Sequence, residues 1–201
     1  ESSAASDVYK RQPAAYCMSR FKFRGAGLIQ ALIIIGLAIP NIMIVMPLFS
    51  VVSALNLSGT HFTLIFLYTA CSVPYTTFFL LTFFKGISTS FEEAAAIDGC
   101  GPIQCFWKIM FPLAQPAIVT VSIFNFIGKW NEYFMALIFA NKSNLRPIGV
   151  GLYQTVTSMM NSGDWAGMFA SVVIVFVPTV VIYAFLSDKI ISGVTAGGNK
   201  G

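Results

Sequence analysis

Residues 26–55 read AGLIQALIIIGLAIPNIMIVMPLFSVVSAL, and residues 62–84 read FTLIFLYTACSVPYTTFFLLTFF. Both lie in a run of 60 positions, Gly25 to Phe84, that contains no Lys, Arg, Asp or Glu. The hydrocarbon core of a bilayer is about 30 Å thick and a helix rises about 1.5 Å per residue, so one crossing takes about 20 apolar residues. The run therefore holds two spans, joined by the polar turn from Asn56 to His61. Barrel strands would alternate polar and apolar positions over about ten residues. The unbroken stretches Ile33-Ile34-Ile35 and Phe78-Phe79-Leu80-Leu81 specify helices instead. Pro40 and Pro47 interrupt the first span and Pro74 the second. Each proline deletes a backbone hydrogen bond, so bent helices are expected.

The rest of the chain has the same character. Of 201 residues, 12 are Lys or Arg and 8 are Asp or Glu, or 10% charged. A soluble domain carries about 25%, so this composition excludes an ordinary cytosolic enzyme, a nucleic-acid binder and a disordered tail. A third apolar segment runs from about Leu113 to Ala140, interrupted by Lys129, Asn131 and Glu132, and a fourth runs from Trp165 to Ser187. The expectation is an all-α, polytopic membrane helix bundle with about four spans.

Loop charges orient it. With the N-terminus inside, the cytoplasmic segments hold Lys10, Arg11, Arg20, Lys22, Arg24, Lys85, Lys108, Lys189 and Lys200, against Lys142 and Arg146 outside. Excess Lys and Arg mark the cytoplasmic side, which puts both termini there and explains the net charge of +4 without nucleic acid. Residues 1–12 are polar, begin without Met and lack apolar periodicity, and are set apart from the body at 13–201. Cys17, Cys71, Cys100 and Cys105 include no C-x-x-C pair, so unpaired thiols and no metal site are expected.

The segment from Lys85 to Pro112 is more than a turn. Ser90 and Glu93 have the spacing of a capping box, and Ala94 to Ala96 are strong helix formers. Gly99 suits a left-handed helix end and Pro102 the first turn of the next helix. Two short helices with a sharp turn are expected, the second ending at Pro112. Glu92, Glu93 and Asp98 supply directional bonds, the alanines a close approach, and Phe106, Trp107, Ile109 and Met110 apolar area. That is the make-up of a docking element for another protein.

This stretch resembles the EAA loop of ABC-importer permeases: Glu93-Ala94-Ala95, Asp98-Gly99, then Phe106, Ile109 and Pro112-Leu113. The stretch from Phe126 to Phe134 resembles the carbohydrate-importer branch of maltose-permease type, as does the tail from Gly193 to Gly201. The resemblance implies a coupling helix seated in a cytoplasmic ABC ATPase dimer, with Glu92, Glu93, Ala94, Ala95, Asp98, Gly99, Phe106, Ile109 and Pro112 at that contact. It further implies a second permease subunit, an extracytoplasmic solute-binding protein and a place in the bacterial cell membrane. Cys100 stands where the family usually has Ala. Members usually carry two further spans before Arg20–Arg24, so the chain reads as the C-terminal two-thirds of a six-span type I permease. No Gly-x-x-x-x-Gly-Lys-Ser/Thr stretch occurs, so ATP is expected on a partner. No catalytic motif is visible, and the chain is read as a transport subunit without a cofactor.

Charges within a span cost about 2.5–3.5 kcal/mol each on insertion scales. Asn125, Lys129 and Glu132 follow one helix face at i, i+4 and i+7, and Lys129 and Glu132 are spaced to pair. The face is either a structural ion pair near the outer interface, flanked by Trp130 and Tyr133, or part of a water-filled path with Asn131. The 24 residues from Asn141 to Asp164 read as an outer loop, with Gly149, Gly151, Tyr153 and Gln154 facing a solute-binding protein on the resemblance. A glycerol-phosphate or polyol importer shares these motifs. A secondary transporter using Lys129 and Glu132 as a relay leaves the capped loop without a role.

Overall fold

A computed structural model of the chain describes residues 2–140 and 142–198, with side chains for 11–140, 142 and 144–187. Every element among them is helical: α1 (Ser2–Arg20), α2 (Ala26–Ala38), α3 (Asn41–Ala54), α4 (His61–Gly86), α5 (Ser90–Ile97), α6 (Pro102–Cys105), α7 (Phe111–Leu113), α8 (Gln115–Trp130), α9 (Phe134–Phe139), α10 (Ile148–Ser162) and α11 (Trp165–Gly198). The tail compared above lies partly outside the described residues. Helix α1 runs without a break through the boundary expected at residue 12, and Arg11 and Gln12 are buried.

Helix α4 and the Trp165–Ser187 part of α11 are each long and apolar enough to cross a membrane, and two bent stretches, α2–α3 and the one that ends in α8, pass the same test, each as a broken span or a re-entrant loop. The 26 residues of α4 extend about 39 Å, more than the hydrocarbon core needs. The first span is interrupted more strongly than a kink: α2 stops at Ala38 and Pro40 precedes a new helix at Asn41, whereas Pro47 is carried inside α3.

The chain divides into two compact units. One holds α1, α2, α4 from Ser72, the α5–α7 region and α8 up to Asn125. Its core sets Ala15 and Tyr16 of α1 against Leu80 and Phe84 of α4 and against Phe106, Met110 and Ala117. Small residues let two apolar helices approach: a Cβ on Gly36 of α2 would stand 2.9 Å from the Pro74 ring of α4. The other unit holds α3, α4 up to Cys71 and the chain from Phe126 to Ser187. Its core packs Val45 and Val52 against Leu64, Leu67, Met135 and Phe139.

Three local expectations are corrected and one is refined. The Ser90–Glu93 capping box does not form: the helix starts one residue early, with Thr89 at the cap accepting the Glu92 and Glu93 N–H groups through its carbonyl. Ser90 is then inside the first turn and its hydroxyl pairs with that of Ser88 at 2.8 Å. The second loop helix ends at Leu113, within a residue of the expected Pro112, but it is not regular. A π turn at Phe106–Met110 precedes α7, and the chain bends 66° before α8. Pro112 and Pro116 lack the N–H groups that would continue a regular ladder there.

The third apolar segment is not one helix, because α8 stops at Trp130 and residues 131–133 are non-helical before α9. The outer segment is not a flexible loop either. Fifteen of its residues form α10, entered from Pro147 and closed by Gly163 at φ +76°.

Candidate functional site

The loop between α4 and α8 is built by local rules. At the end of α5 the Cys100 N–H donates to the Ala95 carbonyl (2.9 Å) and the Gly99 N–H to the Ala96 carbonyl (3.1 Å), a Schellman closure. Gly99 sits at φ +77°, where a side chain would be strained, and Pro102 opens α6.

This geometry divides the nine residues expected at an ATPase contact. Glu93, Ala94, Asp98, Gly99 and Pro112 face outward. Ile97 and Ile103 join them at 87% and 77% exposure. An open depression of about 430 Å³ follows, lined by Gly101, Pro102, Ile103, Gln104, Trp107 and Lys108. Ala95 and Phe106 are buried and Ile109 packs against the same core.

Glu92 also turns inward. Its Oε1 accepts the Tyr16 hydroxyl at 2.6 Å and its Oε2 lies 2.9 Å from Arg20 Nε. Burial first, then Glu92, hold the Tyr16 phenol protonated well above its ordinary range, so it donates to the carboxylate. Burial and Glu92 also push the Cys105 thiol up. Sequence reading missed Tyr16 and Arg20 as partners. Arg20 counted there only as a positive-inside marker, since pairs this far apart in sequence carry no spacing signal.

In the other unit, Glu132 leaves the α8 face on which it was expected, because the helix ends two residues earlier. Its carboxylate accepts the backbone N–H groups of Met135 (2.6 Å) and Ala136 (3.2 Å), at the start of α9, and the Tyr68 hydroxyl (2.6 Å). Lys129 Nζ stands 5.0 Å from the centre of the Tyr68 ring, within cation–π range. Lys129, Glu132 and Tyr68 line a cavity of about 190 Å³ with Asn41, Cys71 and apolar neighbours.

The two asparagines do not join them. The Asn131 amide donates to the Ile127 carbonyl at 2.9 Å. Asn125, in the first unit, donates to Thr76 Oγ at 2.9 Å. Tyr133, expected as an interface anchor, stacks on Tyr153 of α10 at 5.6 Å between ring centres. Gly149 permits that approach, since a Cβ there would meet the Glu132 carbonyl oxygen at 2.9 Å.

A membrane protein of broken apolar helices, with a two-helix loop exposing acidic and apolar residues, is the class these features define. Residues 13–194 match the family described as the binding-protein-dependent transport system inner membrane component, and the chain belongs to that family. It is 36% identical over 190 residues to the sulfoquinovosyl glycerol transport system permease protein SmoH of Agrobacterium fabrum, covering 94% of this chain and 65% of that one. It is 32% identical to the diacetylchitobiose uptake permease NgcG of Streptomyces coelicolor, covering 91% and 61%. It is 34% identical to the trehalose/maltose permease MalG of Thermococcus litoralis, covering 94% and 67%. The chain thus spans somewhat under two thirds of the length of the first two. In fold it is similar to a chain of a bacterial ABC transporter involved in alginate import, with a TM-score of 0.74 at 23% identity, covering 92% of this chain and 74% of the other.

Proposed function

We propose that the chain is a membrane-spanning permease subunit of an ATP-driven importer for sugars or oligosaccharides. The observation that carries this is the outward face of α5 and α6, where Glu93, Asp98, Ile97 and Ile103 stand exposed around a left-handed glycine. That face fits the groove of a cytoplasmic ATPase: apolar contact from the isoleucines, directional bonds from the carboxylates. Transport names among the relatives, each for a sugar-containing solute, support the substrate class. The family description supports a solute-binding partner outside the membrane. A second permease subunit completes the path, and loop charge supports a cytoplasmic C-terminus.

ATP binding and hydrolysis in the partner move the docked helix, and the spans alternate between outward- and inward-facing arrangements. Lys129, Glu132, Asn131 and Asn125 are the polar groups this subunit offers along or beside the path. Glu132 does so through the wall of its cavity, since its carboxylate already accepts three hydrogen bonds.

The test is made on the assembled transporter. Gly99→Pro cannot adopt φ +77° and removes the N–H that closes α5, while Glu93→Lys changes only an exposed charge. Both variants are expected to hydrolyse ATP without proportionate uptake. Wild-type uptake per ATP in both would refute the docking role.

A further inference from the structure

Two adjacent glutamates on α5 are used in opposite ways: Glu93 points to solvent, and Glu92 points into its own subunit. Resting on the importer reading above, we propose that Arg20 is a positioning residue. It fastens the coupling helix to the end of α1 and so carries displacement of α5 into the first membrane-spanning segment.

The geometry is two-pronged. Arg20 Nε lies 2.9 Å from Glu92 Oε2 in an ion pair that lacks hydrogen-bond alignment, and a terminal guanidinium nitrogen donates to the Ile87 carbonyl at 2.7 Å. Ile87 lies where the chain leaves α4, and Glu92 lies in the first turn of α5. One side chain therefore clamps both the entry to the loop and the helix it presents. The extended guanidinium reaches the carbonyl and the carboxylate at once, which the compact point charge of a lysine ammonium would not.

The other end of the latch is rigid. Tyr16, 5% exposed, sets its ring on Phe84 and Phe106 at 5.6 and 5.1 Å and donates to the second oxygen of Glu92. Arg20 ends α1, five residues separate it from α2, and Gln30 of α2 donates back to the Met18 carbonyl at 3.1 Å. A chain of directional bonds thus runs from α5 through the end of α1 to α2, all within one unit. A groove of about 390 Å³, lined by Tyr16, Arg20, Glu92, Thr89, Ala96 and Cys100, flanks the latch. The half-buried pair is 11% and 19% exposed, so loss of one partner leaves the other charge without compensation.

The experiment uses the complete transporter in liposomes, with ATP inside and a mixture of radiolabelled trehalose, maltose and diacetylchitobiose outside with the solute-binding protein. R20Q, E92Q and the double variant are compared for sugar imported per ATP hydrolysed and for the ATPase subunit retained on purification. Each single variant is expected to retain the ATPase and to lose about fivefold or more in sugar per ATP. The double variant should lose no more than either single one, because both remove one interaction. R20K, which keeps the charge without the fork, should restore only part of the ratio.

Singles at the wild-type ratio overturn the proposal, as does a double variant whose loss is the product of the two. E92Q that sheds the ATPase while R20Q retains it also overturns it, and makes Glu92 a docking contact. Lower thermal stability with an unchanged ratio overturns it too, leaving a merely structural pair. Absence of ATP-driven uptake in the wild type overturns the sugar-importer reading beneath, which keeps the two failures distinct.

Discussion

A single carboxylate shows how far local environment outweighs sequence spacing. Glu132 is three residues after Lys129, a spacing that invites an ion pair on a helix face, yet the helix has ended at Trp130. The carboxylate organises the start of α9 and receives Tyr68. Hydrogen bonds to a charged group contribute about 1.5–3 kcal/mol each. Glu132→Ala is therefore expected to lower stability by at least about 3 kcal/mol, and Tyr68→Phe by about 1.5, measured as midpoint shifts in denaturant or on heating in detergent. Equal stability of all three proteins would refute the bonding pattern.

Thiol chemistry gives a second residue-scale prediction. Cys17 is exposed, whereas Cys105 is buried with its thiol pushed up by burial and by Glu92. A raised pKa means less thiolate near neutrality. Mass spectrometry after brief N-ethylmaleimide treatment at pH 7.5 should find Cys17 modified and Cys105 free, with Cys105 gaining as pH rises. Equal labelling at neutral pH would contradict the burial.

At the scale of elements, α9 and α10 form around a close backbone approach. Gly149 lies beneath Tyr133 and the Glu132 carbonyl, and the nearest contact is backbone that cannot rotate away. Gly149→Ala is expected to cost about 1–3 kcal/mol of stability, the usual range for overpacking. Gly151→Ala, where a Cβ meets nothing within 4 Å, should be neutral or slightly stabilising. A thermal melt of each variant separates the two, and identical shifts would count against the packing.

Sequence reading took this region for a loop because Asn, Ser and Gly are frequent in it, although its boundary signals were present. Pro147 precedes the helix and Gly163 ends it in the left-handed conformation. Asp164 then caps α11 through the Gly167 N–H at 2.9 Å, a start signal of the ordinary kind.

For the whole molecule, the Trp165–Ser187 part of α11 has none of its most apolar stretch buried within the subunit. Ile174 and Phe185 are exposed at 70% and 81%, an apolar surface of the kind that lipid or a protein neighbour covers. The proposed topology also makes a directional prediction. In a Cys17→Ser background, a cysteine at Asn161 should react with an impermeant maleimide from outside the cell. One at Ser88 should react only in inverted vesicles. The reverse pattern would invert the orientation and remove the loop from the ATPase side.

Much of the architecture was written along the chain itself. The 60-residue uncharged run fixes membrane helices because each backbone polar group in lipid must be satisfied within its own segment. The turn at Gly99 and Pro102 was legible for the same reason: caps and turns are contacts between near neighbours. Tertiary structure decided the rest. It turned Glu92 inward onto Tyr16 and Arg20 and left Glu93 outside, and it took Glu132 off the α8 face by ending that helix at Trp130. Those outcomes depend on residues 64 to 76 positions apart, whose meeting is set by how the helices pack and not by any periodicity along the chain.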